Sequence, residues 1–78
     1  MENDKFWIRN YVVDNKIAEL RRAVGISQQY FADAIGLSRN AISLIERGAA
    51  YPTIRLAFVI AMYFGKTIDE IFTLRRKQ

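Results

Sequence analysis

The sequence predicts an all-α domain of five short helices, preceded by a short N-terminal β-strand. Three observations point to it. Apolar residues recur at helical spacing in successive short runs. Gly25, Gly36, Gly48 and Gly65 each follow such a run, where a left-handed residue closes a helix cheaply. Ser27, Ser38, Thr53 and Thr67 open the runs that come next, with hydroxyls suited to accept from a free N–H of a first helical turn.

The first helix is predicted over about residues 15–24, with Ile17, Leu20 and Val24 on one face. The second covers about 28–35 and turns Phe31, Ala32 and Ile35 inward. The third covers about 39–47, with Ile42 and Ile45 inward. The fourth runs over about 54–64. The fifth runs over about 68–74, with Ile68, Ile71 and Phe72 inward, and Thr67 and Glu70 have capping-box spacing. The segment over residues 6–13 is aromatic and β-branched. It favours a strand, although Val13 also suits an extension of the first helical face. The chain thus divides into an extension over residues 1–14, a helical domain over 15–74 and a basic tail over 75–78.

Composition narrows the function. Seventy-eight residues that are 51% hydrophobic make one small packed domain with little core to spare. Neither histidine nor cysteine is present, which removes the commonest general base, the commonest metal ligand and any disulfide. No metal, cofactor or effector pocket is expected. Asp69 and Glu70 suit the positive start of the fifth helix better than a catalytic pair, so an enzyme is not expected. The net charge of +4 and a pI near 9.8 suit a polyanionic partner. A cytoplasmic location is expected, with no membrane partner, because the apolar stretch over residues 54–64 is too short to span a bilayer.

Helices two and three carry the functional signal. Only Ile35-Gly36-Leu37-Ser38 joins them. A glycine turn followed by an apolar residue lets two helices cross steeply around a shared contact. Ala32 is small enough for close approach. Such a unit projects the third helix outward, and a helix has the width of the major groove of B-DNA.

The sequence Ile17-Ala-Glu-Leu-Arg-Arg-Ala-Val-Gly-Ile-Ser-Gln-Gln, followed by Phe31-Ala-Asp-Ala-Ile-Gly-Leu-Ser-Arg-Asn-Ala-Ile-Ser-Leu-Ile-Glu-Arg-Gly, resembles the phage-repressor and Cro type of helix-turn-helix protein. This is also called the xenobiotic-response-element family. The likeness extends through Pro52-Thr-Ile to Asp69-Glu-Ile-Phe. It implies a five-helix, lambda-repressor-like DNA-binding domain that regulates transcription, usually as a dimer. By the same resemblance, Arg39 and Asn40 are base-contacting, with Ser43 and Leu44 one turn further on. Ser27, Gln28, Ser38, Arg47 and Tyr51 are expected at phosphates. The chemistry agrees, since Arg pairs with guanine O6 and N7, Asn with adenine N6 and N7, and a helix N-terminus favours an anion. Leu44 departs from the family's more usual polar residue and suits a thymine methyl. The loop Gly48-Ala-Ala-Tyr51 lacks the family's frequent basic residues. Arg21 and Arg22 read as a solvated helix face, and Glu46 as a surface ion pair with a neighbouring arginine worth under about 1 kcal/mol.

Helix four is apolar almost all round, and such a helix is usually covered on more than one side. Either the segment over residues 6–13 or a second subunit should cover Val59 and Met62. A twofold homodimer is expected, using Phe58, Val59, Met62, Ile71 and Phe72, with reading helices about 34 Å apart on a palindromic operator. The leading function is a sequence-specific double-stranded DNA-binding regulator, acting as a repressor. The alternative is an antitoxin-like protein-interaction module that also binds its own promoter.

Overall fold

The computed structural model of the chain describes residues 4–78, with side chains from Trp7 onward. A 3-10 helix, Asp4–Asn10, leads into β1 (Tyr11–Asn15). Then come α1 (Ile17–Ala23), α2 (Gln28–Ile35), α3 (Arg39–Glu46), α4 (Ile54–Phe64) and the single-turn α5 (Ile68–Ile71), followed by β2 (Phe72–Arg76). The described residues therefore form five α-helices, and a two-stranded antiparallel sheet joins the two ends of the chain.

Local chemistry sets the helix ends. The hydroxyls of Ser27, Ser38 and Thr53 accept from the N–H groups of Tyr30 (3.0 Å), Ala41 (3.1 Å) and Leu56 (3.1 Å), each filling one orphan donor of a first turn. At α5 the Glu70 carboxylate accepts from the Thr67 backbone N–H at 2.8 Å. Helix α1 has a different cap: the Asn15 side-chain oxygen accepts from Ile17 N–H at 3.1 Å. Between α2 and α3, Gly36 takes φ +83°, a left-handed conformation that costs a side chain with a Cβ roughly 1–2 kcal/mol. Leu37 N–H then returns to the Ala32 carbonyl at 2.8 Å, completing the turn.

One core serves all five helices. Ile17, Phe31, Ala32, Ile42, Ile60 and Ile71 are fully enclosed, with Ile45 and Ala61 nearly so. Phe31 packs edge-on to Tyr63 and tilted against Phe64, with centroids 5.1 and 5.2 Å away. Burying such a ring contributes about 1.5–3 kcal/mol by area alone. Ala32 of α2 is fully buried in the same core.

Four expectations are corrected. The predicted strand over residues 6–13 lies instead at Tyr11–Asn15, after a 3-10 helix. The partner decides this: β2 ends at Arg76, and Lys77 N–H closes the ladder on the Asn10 carbonyl at 2.7 Å. The part of that prediction on Phe6 lies outside the residues with described side chains. Helix α1 starts at Ile17, because Asn15 belongs to β1 and uses its side chain as a cap. Its inward face is Ile17, Leu20 and Arg21, while Val24 lies past the helix end and is 62% exposed. The fifth helix stops at Ile71 instead of reaching Leu74, because Phe72, Thr73 and Leu74 pair with Asn15, Asp14 and Val13. Arg75 and Arg76 belong to this strand as well.

Candidate nucleic-acid interface

Helix α3 is held on one side and open on the other. Ile42 and Ile45 anchor it in the core. Arg39 and Asn40, in its first turn, are exposed and make no ion pair or side-chain hydrogen bond with other described residues. Ser43 and Leu44 follow one turn later and are half-buried. Arg47 is exposed at the C-cap. Ser38 spends its hydroxyl oxygen on Ala41 N–H, which leaves the hydroxyl proton available for an outside acceptor.

The far end of α3 is pinned by charge. Arg21 of α1 grips Glu46 with two donors, Nε to Oε2 at 2.9 Å and Nη2 to Oε1 at 3.2 Å. The two side chains are only 9% and 5% exposed. Arg21 also donates to the Ile26 carbonyl at 2.9 Å, and Gln28 of α2 donates to Glu46 Oε1 at 2.9 Å. One carboxylate thus ties α1, α2 and α3 together. Burial pushes the Glu46 carboxyl up, but hydrogen bonds from Arg21 and Gln28 and the charge of Arg21 outweigh it and hold it below its ordinary value. The reading of Glu46 as a surface pair, and of Arg21 as solvated, is overturned by this burial. The spacing Ile17 to Arg21 is one helical turn along the inward face, and that was the available signal.

The expected phosphate contacts lie in different states. Ser27 is exposed at the N-cap of α2. Gln28 is turned to Glu46 and spends one of its two amide N–H donors within the chain. The Tyr51 hydroxyl lies beside β1 and accepts from Val13 N–H at 3.3 Å. Asn15 is a contributor that sequence reasoning missed. Its side-chain nitrogen donates to the Ile45 carbonyl at 2.9 Å, which fixes the last turn of α3 to the β1–α1 junction.

This geometry is a helix-turn-helix with an exposed, polar second helix, and the model of the helix-turn-helix family matches residues 17–71. The chain belongs to that family, in its Cro/C1 type. An HTH-type transcriptional regulator of Methanocaldococcus jannaschii is 40% identical over 58 residues, covering 74% of this chain and 88% of that one. The regulator YgzD of Bacillus subtilis is 32% identical over 63 residues, covering 81% and 96%. The transcriptional activator BcrR of Enterococcus faecalis is 33% identical over 60 residues, which span 77% of this chain but 29% of that protein. This helix-turn-helix protein is a transcriptional regulator with a DNA-binding domain. No described helix is long and apolar enough to cross a membrane.

The expected dimer residues are unequally available. Phe58 and Met62 of α4 are exposed and Val59 is half-buried. Phe72 is half-buried in a hollow it shares with Val13 and Ala57. Ile71 is fully enclosed by its own chain; as part of the core it has no surface for a partner, which corrects that expectation. Val13 of the N-terminal segment lines a hollow with Ile54 and Ala57 of α4.

Proposed function

We propose that this helix-turn-helix protein binds double-stranded DNA in a sequence-specific manner as a homodimer on a palindromic operator. It represses transcription by occupying the site. The observation that carries the reading is the exposed first turn of α3, where Arg39 and Asn40 are uncommitted while the opposite side of the helix is fixed by core and ion pair. Arg39 reads guanine, Asn40 reads adenine, and Ser43 and Leu44 meet the next bases, Leu44 through a thymine methyl. The hydroxyls of Ser27 and Ser38, the guanidinium of Arg47 and the N-terminus of α2 hold phosphates. Gln28 and Tyr51 serve as supports whose bonds to Glu46 and β1 orient these groups. Blocking polymerase requires only occupancy, and the site of action is the cytoplasm.

Selection of bound sequences from a random duplex pool at fixed salt tests this reading. A palindromic consensus with half-sites about one helical turn apart is expected. Recovery of unselected sequence overturns it. The exposed Phe58 and Met62 favour a second reading, an antitoxin-like module whose α4 face holds a different protein. A heteromeric complex that excludes the homodimer supports that second reading.

A further inference from the structure

The sheet and α4 share one continuous apolar strip. In the ladder, Lys77 N–H bonds Asn10 O and Lys16 N–H bonds Ile71 O, so Val12 and Asp14 face β2 with their backbone groups. By strand alternation Tyr11, Val13, Phe72 and Leu74 lie on one face of the sheet. Its outer half, with Trp7 and Ile8, lines an open apolar hollow of about 440 Å³. Its inner half meets the start of α4 in a second hollow of about 250 Å³, lined by Val13, Phe72 and Ile54. From Ile54 the strip continues along α4 through Phe58 and Met62, one turn apart each.

Nothing in the described chain covers this strip. Ile8, Ile54 and Met62 are at least three-quarters exposed, and Trp7, Phe58 and Leu74 more than half. At roughly 150–250 Å² for a whole large side chain, the exposed parts amount to about 600–1,000 Å². A lone apolar patch on a monomer reaches roughly 300–600 Å², whereas a standard stable interface takes about 800 Å² from each partner.

The geometry points to a second copy of this chain as the occupant, bound by reciprocal exchange: the arm bearing Trp7, Ile8 and Leu74 seats on the Ile54, Phe58 and Met62 stripe of its partner. This interface rests on the homodimer reading and specifies it. A twofold axis through the shared Val13–Phe72–Ile54 hollow carries each arm onto the other copy's stripe. The two halves match in length. Ile54 to Met62 is eight residues, about 12 Å of helix. Ile8 to Val13 runs about 12–13 Å at the rise of a 3-10 turn followed by a strand. Packing arm on arm leaves both stripes in water. Pairing β2 edge to edge crowds Arg75 and Arg76 of both copies, a charge pattern that discourages such pairing.

The chain has no cysteine, so single thiols can be placed at will. Ile8→Cys and Met62→Cys chains, mixed and treated with a short bis-maleimide, are expected to link to each other, while neither links to itself. Ile8→Glu, at a side chain with almost no contacts to lose, is expected to raise the dimer dissociation constant about tenfold or more and to leave the thermal unfolding of the monomer unchanged. Sedimentation of the wild type separates the two levels of the argument. A monomer at micromolar concentration overturns the dimer reading and this interface with it. A dimer in which Ile8→Cys chains link to one another, or in which mixed chains fail to link, keeps the dimer reading and overturns the arm-on-stripe arrangement.

Discussion

Arg21 and Glu46 join the first and third helices through two parallel hydrogen bonds, at 2.9 and 3.2 Å, with both side chains almost wholly buried. Removing one partner strands the other charge in a dry site, a change that costs about 3–5 kcal/mol. Arg21→Ala and Glu46→Ala are therefore expected to lower the urea midpoint strongly. Arg21→Met combined with Glu46→Leu replaces the pair by apolar side chains of similar size and is expected to recover most of the loss. Equal damage from the double variant and the singles would mean that packing, and not the stranded charge, sets the cost.

Acid should weaken the fold through the same pair. The folded-state Glu46 carboxyl lies below its ordinary value, because the bonds from Arg21 and Gln28 outweigh the opposing effect of burial. Its stabilisation is complete above the unfolded glutamate value of about 4.3 and is lost as the pH falls through the lower folded value. Urea midpoints are expected to be level near neutrality and to fall below about pH 4.3. Glu46→Gln starts lower and falls less steeply over that window.

Base reading and phosphate holding separate by salt and by sequence. Arg39→Ala is expected to cost about 1–3 kcal/mol on the selected operator and to relax preference at one base pair. Arg47→Ala is expected to weaken operator and random duplex alike and to reduce the salt slope by about one. Binding titrations at several salt concentrations distinguish the two patterns, and identical behaviour of both variants would remove the assignment.

Asn15 links β1 and the start of α1 to the last turn of α3. Asn15→Ala removes both the cap on Ile17 N–H and the donor to the Ile45 carbonyl. A loss of about 1–3 kcal/mol in stability is expected, together with weaker operator binding measured well below the unfolding midpoint. Asn15→Asp restores the cap but not the donor. It is expected to regain part of the stability and little of the affinity.

How much of this was legible in the sequence follows from how far apart the cooperating residues lie. Ser27, Ser38, Thr53 and Gly36 act within their own turns, so four residues of local pattern suffice to place α2, α3 and the start of α4. The exposure of Arg39 and Asn40 is legible because it depends only on their place in the first turn of α3. The Arg21–Glu46 pair joins positions 25 apart in sequence, and charge in an otherwise apolar face was the only local sign of it. The end of α5 is not legible locally, because Phe72 to Leu74 suits either a helix face or a strand, and pairing with β1 decides it. Asn15 suits a helix start by local pattern, and nothing near it in sequence announces a carbonyl thirty positions away.

The sheet also closes the longest sequence separation among the described residues. Its Asp14–Arg75 contact closes a separation of 61 residues, while the turns of α1 to α4 form between near neighbours. Closing so long a separation costs more chain entropy than closing a turn, so this contact raises the contact order of an otherwise local helical fold. The two edges of the chain are thus tied to each other through β1 and β2, and a cut between α4 and β2 would free the strand pair from one side while leaving α2 and α3 joined by their own turn.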